Sequence, residues 1–141
     1  MRNTKHNSKK VGIVILLLLF FTFSACTDKM TFKSSSVVPA AKGSVKMKSD
    51  NNKNHIIDVS VTDLAPADQL TPPKKIYVVW MVTKKNETKN IGQLVSETSF
   101  MSSSLKGTLH AVTPFDPGYF FITAEDDGSV DFPGKIVLNT Q

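Results

Sequence analysis

Apolar and polar positions alternate with a period of two along much of the chain, and sustained helical spacing appears nowhere after the first 25 residues. From His55 to Leu64, Ile57, Val59 and Val61 share one face while Asp58, Ser60 and Thr62 share the other, which predicts a half-buried strand. Lys75–Thr83 is apolar on both faces, with Ile76, Val78, Trp80 and Val82 opposite Tyr77, Val79 and Met81. A run of that kind predicts a central strand. Ser104–Thr113 sets Leu105, Gly107, Leu109 and Ala111 on one face, and Ser44–Lys48, Asn90–Ser96, Tyr119–Glu125 and Lys135–Thr140 complete a set of seven predicted strands.

The breaks between them carry turn chemistry. Pro72 and Pro73 end the connection from Leu64, because neither continues a regular element. Lys84-Lys85-Asn86-Glu87 reads as a polar turn, and Glu125-Asp-Asp-Gly128 as a hairpin turn with Gly128 supplying positive φ. The expected fold is all-β, an immunoglobulin-like antiparallel sandwich of about seven strands. Trp80 falls on the third strand, where such sandwiches bury a tryptophan in the core, and Tyr119 opens the sixth, at the position of a tyrosine corner.

The first 26 residues follow a different logic. Arg2, Lys5, Lys9 and Lys10 precede a 13-residue apolar run, Val11–Phe23, and then Ser24-Ala25-Cys26. At 1.5 Å per residue that run covers about 20 Å of a hydrocarbon core near 30 Å, short for a span and suited to an export signal. Phe23-Ser24-Ala25-Cys26 resembles the recognition site of lipoprotein signal peptidase, with Phe23 where Leu is usual. The expectation is cleavage before Cys26 and a thioether-linked lipid there. It divides the chain into a signal peptide (1–25), a flexible tether (26–43) and a sandwich domain (44–141). A polar segment such as 27–43 has a reach of about 20–25 Å. Cys26 is the only cysteine, so no disulfide can link the sheets. The expected location is the bacterial cell envelope, with Thr27 after the cysteine pointing to the outer membrane.

Removing the signal changes the charge. Four of the 17 Lys+Arg and none of the 12 acidic residues fall in 1–25, which leaves 13 basic against 12 acidic residues and a net +1. A phosphate-binding face needs a concentrated basic excess, so nucleic acid is excluded as a partner. Lys29, Lys33, Lys42, Lys46, Lys48 and Lys53, against Asp28 and Asp50, gather near the anchor, a placement that fits a solvated polar linker and also suits an anionic membrane surface.

Tyr77-Val-Val-Trp80-Met-Val, Asn90-Ile-Gly-Gln-Leu94, Phe121-Ile-Thr-Ala-Glu125-Asp-Asp-Gly128 and Phe132-Pro-Gly-Lys-Ile-Val-Leu138 follow one another in an order that resembles the extracytoplasmic C-terminal domain of anti-sigma-K factors. The resemblance implies a β-sandwich that senses or scaffolds through protein contacts. Members of that family also carry a cytoplasmic sigma-binding domain, often with a zinc His/Cys cluster, and a transmembrane helix. Ten residues precede Val11 and Cys26 is the only cysteine, so this chain is not expected to sequester a sigma factor itself.

Candidate chemistry is sparse. Asp116, Glu125, Asp126, Asp127 and Asp131 offer oxygen ligands for calcium without matching an EF-hand loop. Met30, Met47, Met81 and Met101 with His55 and His110 offer the thioether and imidazole donors that suit copper, but no two stand at ligand spacing. Ser102–Ser104 and His110 lack a Gly-x-Ser-x-Gly elbow. The expected protein is a non-enzymatic module that needs no cofactor, is held to a membrane through Cys26 and binds an envelope protein. The alternative is a periplasmic lipoprotein that binds a small ligand, calcium or copper.

Overall fold

A computed structural model describes residues 27–98 and 105–141. Residues 1–26, where the signal peptide and the lipidation of Cys26 are expected, lie outside the described residues, as do Met101 and Ser102–Ser104. The described chain forms nine strands: β1 (Asp28–Thr31), β2 (Lys42–Ser49), β3 (His55–Leu64), β4 (Ile76–Thr83), β5 (Thr88–Gln93), β6 (Val95–Thr98), β7 (Leu105–Thr113), β8 (Pro117–Glu125) and β9 (Ile136–Asn139). One short 3₁₀ turn, Ala67–Gln69, lies between β3 and β4. Among the described residues no helix is long and apolar enough to cross a membrane.

Two antiparallel sheets result, one in the order β1-β2-β3-β7-β6 and one in the order β5-β4-β8-β9. This is an immunoglobulin-type sandwich. β2, β3, β7 and β6 take the places of the four-stranded sheet and β4, β8 and β9 those of the three-stranded one. β5 extends the second sheet and β1 the first. The period-two patterns become the inner faces. Ile57, Val59 and Val61 of β3 are buried against a core that includes Val79 and Met81 of β4 and Phe120 and Ile122 of β8. Each such side chain contributes about 1.5–3 kcal/mol on burial.

Four differences from the sequence reading have physical causes. First, residues 27–43 are not a free tether. β1 pairs with β2 from Asp28↔Met47 to Thr31↔Ser44, the Phe32 and Lys33 amides donate to Gly43 O and Asn139 O at 3.0 and 2.8 Å, and Val38 and Ala41 are buried. An edge strand buries little, so its composition reads as polar.

Second, the predicted strand Asn90–Ser96 divides at Leu94. β5 belongs to one sheet and β6 to the other, and buried Leu94 makes the crossing with its amide on Tyr77 O at 2.9 Å. Just before it, Gly92 has φ +127° where the register of β4 and β5 shifts, a conformation that requires glycine.

Third, the Glu125–Gly128 segment is not a tight hairpin turn, and Gly128 has no positive φ. β8 ends at Glu125 and β9 starts at Ile136, so a long loop joins them. Asn90 Nδ2 donates to Gly128 O (2.9 Å) and Val130 O (3.2 Å), which draws this loop toward β5.

Fourth, Trp80 is buried but not between the sheets. Tyr77, Val79 and Met81 face the shared core, whereas Val78, Trp80, Val82 and Phe121 form a second apolar cluster on the outer face of the four-stranded sheet, with Ile76, Tyr119 and Val130 packed on it. Trp80 stacks on Phe121 with ring centroids 6.1 Å apart and planes 7° apart, and its Nε1 donates to Thr123 Oγ1 at 2.8 Å. β4 is apolar on both faces, so alternation alone did not say which face meets the other sheet. Tyr119 lies in this outer cluster, tilted on Phe121 at 6.5 Å, and makes no tyrosine-corner bond among the described residues. A bond of that kind comes instead from Tyr77, whose hydroxyl donates to Ala65 O at 2.7 Å.

Candidate functional site

The acidic residues read as possible calcium ligands are dispersed. Asp116 precedes β8 and Glu125 ends it, so a strand of nine residues separates them, about 30 Å at roughly 3.4 Å per residue. Four of the five have a hydrogen-bonding partner. Asp116 Oδ1 meets His55 Nε2 at 3.0 Å, and Glu125 Oε1 accepts from the Gly134 amide at 2.7 Å. Asp126 Oδ2 accepts from Lys74 Nζ at 2.8 Å. Asp127 Oδ1 accepts from the Ser129 amide and hydroxyl at 2.8 and 2.7 Å, bonds that hold its carboxyl below the usual aspartate range. Among the described residues no three His, Cys, Asp or Glu side chains gather as a metal site.

The soft donors fare differently. Met81 is fully buried in the core. His110 lies on the outer face of the five-stranded sheet, its Nδ1 2.6 Å from Asp58 Oδ1. Met30, Met47 and His55, however, line one cavity of about 570 Å³ at an open end of the sandwich, with Lys84, Pro117 and Gly118 contributed by the opposite side. Register explains the meeting. Met30 pairs with Val45 and Met47 with Asp28 across β1 and β2, while Met47 pairs with Ile57 and Ser49 with His55 across β2 and β3. Met47 is therefore the diagonal neighbour of Met30 on one side and of His55 on the other, all on the face that buries Val45 and Ile57. Diagonal neighbours lie about 7–8 Å apart, within reach of long side chains.

Local sequence sets this arrangement. The turn between β2 and β3 is closed by Asp50, whose Oδ1 accepts from the Asn52 and Asn54 amides, both at 2.8 Å. Asn54 Nδ2 adds a bond to Asp50 Oδ2 at 3.0 Å, and Lys53 takes φ 65°. These bonds keep the Asp50 carboxyl below its usual range. A fixed turn fixes the register, and the register puts Met47 beside His55.

A smaller apolar cavity of about 110 Å³ lies among Val37, Leu70, Pro72, Ala124 and Val137. It is well below the 300–1,000 Å³ typical of small-molecule sites. On the outer face of β1 and β2, Lys29 pairs with Lys46, and Lys48 and Lys42 continue the same row. Trp80 and Tyr119 belong to the outer cluster and take no part in the cavity. Sequence reasoning missed Tyr77 as a bonded residue and Met47 beside His55. The second was readable from the Asp50-Asn-Asn-Lys-Asn54 turn, once taken as the centre of a hairpin.

No family model matches this chain, and neither does any characterised protein or solved structure.

Proposed function

We propose that the chain is a lipid-anchored module of the bacterial cell envelope, acylated at Cys26, that works by binding a protein partner and not by catalysis. The observation that carries this reading is Phe23-Ser24-Ala25-Cys26 directly after a cationic start and a 13-residue apolar run. The lysine row on β1 and β2 supports it. Lys29, Lys46 and Lys48 flank the edge nearest Thr27 and would complement anionic headgroups, each worth about 1 kcal/mol near such a surface. The resemblance to the anti-sigma-K C-terminal domain suggests the class of partner, another envelope protein recognised through the sandwich, in a sensory or scaffolding role.

Intact-mass measurement of the protein from bacterial membranes tests the anchor. The expected species begins at Cys26 and carries an acyl adduct, and Cys26→Ala abolishes the adduct. A mass that retains residues 1–25, or lacks any lipid, refutes the placement. Cross-linking in intact cells followed by detergent extraction tests the partner. Repeated recovery of the uncross-linked chain alone refutes the binding role.

A further inference from the structure

We infer that Lys29, Lys46 and Lys48 form a site for the phosphate of an anionic phospholipid headgroup, kept open by His110. The choice of a lipid as occupant rests on the anchor proposed at Cys26. Strand register brings the three ammonium groups together. Lys29 stands directly opposite Lys46 and Asp28 opposite Met47, so the next step brings Thr27 beside Lys48. Val45 and Met47 are buried in the core, so Lys46 and Lys48 project from the outer face of the five-stranded sheet. Directly opposed residues have Cβ atoms about 4.5–5.5 Å apart, and diagonal neighbours such as Lys29 and Lys48 about 7–8 Å. Lys46 and Lys48, two residues apart on one strand, are separated by about 6.8 Å. Each pair is close enough for flexible four-carbon stems to aim at one phosphate. Thr27, Lys29, Lys46 and Lys48 line one cavity of about 440 Å³, together with Met47 and Asp58.

The block lacks an internal counter-ion. Like charges directly opposite on a sheet repel, and among the described residues none of the three lysines makes an ion pair. The nearest carboxylate in register is Asp58, opposite Lys46 on β3. Its Oδ1 lies instead 2.6 Å from Nδ1 of His110, its neighbour on β7. His110 thus withholds Asp58 from Lys46, and three cations face one committed anion. A phosphate diester in the cavity relieves the repulsion between Lys29 and Lys46. A zwitterionic headgroup brings an ammonium of its own and relieves less.

Position selects a lipid as the source of that phosphate. Thr27 is one peptide unit from Cys26, about 3.8 Å between Cα atoms, so a bilayer joined at the cysteine is within reach of this block. Carboxylates gather at the opposite end. β8 starts at the cavity that Pro117 shares with Asp28 and runs away to Glu125, and Asp126, Asp127 and Asp131 follow it. A negative surface attracts the first end and repels the second.

The test titrates the full chain, in a mild neutral detergent, with a short-chain phosphatidylglycerol and follows the amide NMR shifts of Lys29, Lys46 and Lys48. Saturable shifts are expected there, and none from short-chain phosphatidylcholine. Lys46→Gln should weaken binding about fivefold, and Lys29→Gln added to it about 25-fold in all. His110→Leu frees Asp58 for Lys46 and should weaken binding about fivefold, and Asp58→Asn in that background should restore it. Lys75→Gln and Lys135→Gln, at the opposite end of the sandwich, should leave it unchanged. Far-UV circular dichroism confirms that each variant is folded. In vesicles, an amine-reactive label should reach Lys29, Lys46 and Lys48 of the acylated chain more slowly with phosphatidylglycerol than with phosphatidylcholine alone, and Lys75 and Lys135 equally in both. That protection should vanish at about 1 M salt, where screening acts within about 3 Å. Intact mass separates two failures: a missing adduct refutes the anchor, while the detergent titration needs no acyl group and still decides the site. No response to phosphatidylglycerol, an equal response to phosphatidylcholine, equal affinity for inorganic phosphate, or an unchanged affinity in Lys46→Gln would overturn the assignment. A His110→Leu loss that Asp58→Asn fails to restore would overturn the part given to His110.

Discussion

The bond between Trp80 and Thr123 gives the sharpest test of how the outer cluster is built. Both residues are at most 1% exposed, and the indole Nε1 has Thr123 Oγ1 as its partner at 2.8 Å. Thr123→Val keeps the side-chain shape and strands a buried donor, a change that costs about 1–3 kcal/mol. Trp80→Phe strands the hydroxyl instead and also loses part of the stack on Phe121. Full truncation, Trp80→Ala, costs about 3–5 kcal/mol. If the two polar atoms depend on each other, Thr123→Val made in the Trp80→Phe background costs close to nothing, because no donor is left unpaired. The double-mutant cycle should therefore return a coupling energy of about 1–3 kcal/mol. Urea unfolding of the full chain followed by far-UV circular dichroism measures all four corners. Emission from the chain's single tryptophan reports burial independently wherever Trp80 is kept. A Thr123→Val cost below about 0.5 kcal/mol, with no coupling, would refute the bond and the packing inferred from it.

Two further outcomes are expected. The Tyr77 hydroxyl is pushed up from 10.0 to about 12 by burial and, secondarily, by the Asp68 carboxylate. Between about pH 10 and 12 the unfolded chain gives up a proton that the folded chain keeps, so stability falls as pH rises, by at most about 1.4 kcal/mol per pH unit. Tyr77→Phe removes that alkaline loss while costing about 1 kcal/mol at neutral pH; parallel alkaline slopes for the two proteins in urea unfolding would count against the buried hydroxyl. Hydrogen exchange read by NMR should find the Phe32 and Lys33 amides protected as strongly as those of β2, because both are bonded to strand carbonyls. Exchange at the rate of an unstructured peptide would restore the tether.

The sequence displayed the sandwich wherever a strand has one dry face. β3 and β7 were legible because Ile57, Val59 and Val61, and Leu105, Leu109 and Ala111, alternate with polar neighbours that face water. Legibility failed where the physical situation departs from that pattern. β1 is an edge strand whose polar composition hides its pairing, and Leu94 passes between sheets without interrupting the apolar pattern that the sequence shows across β5 and β6. The two faces of β4 are equally apolar, so alternation could not choose between Trp80 and Met81 as the core residue; the outer face is covered in part by Val130 of the loop 126–135, which Asn90 bonds from β5. The soft-donor cavity was only half legible. Its residue types were plain, but their meeting depends on diagonal pairing across three strands, which spacing along the chain does not reveal.

The incorporation of Asp28–Thr31 into the sheet leaves Thr27 alone between Cys26 and the first strand. Whatever is joined covalently at that cysteine would act through a one-residue hinge and not a slack line. The domain would then be confined to a narrow cone of orientations, with the β1 edge always turned toward its support and the far end of the sandwich always turned away.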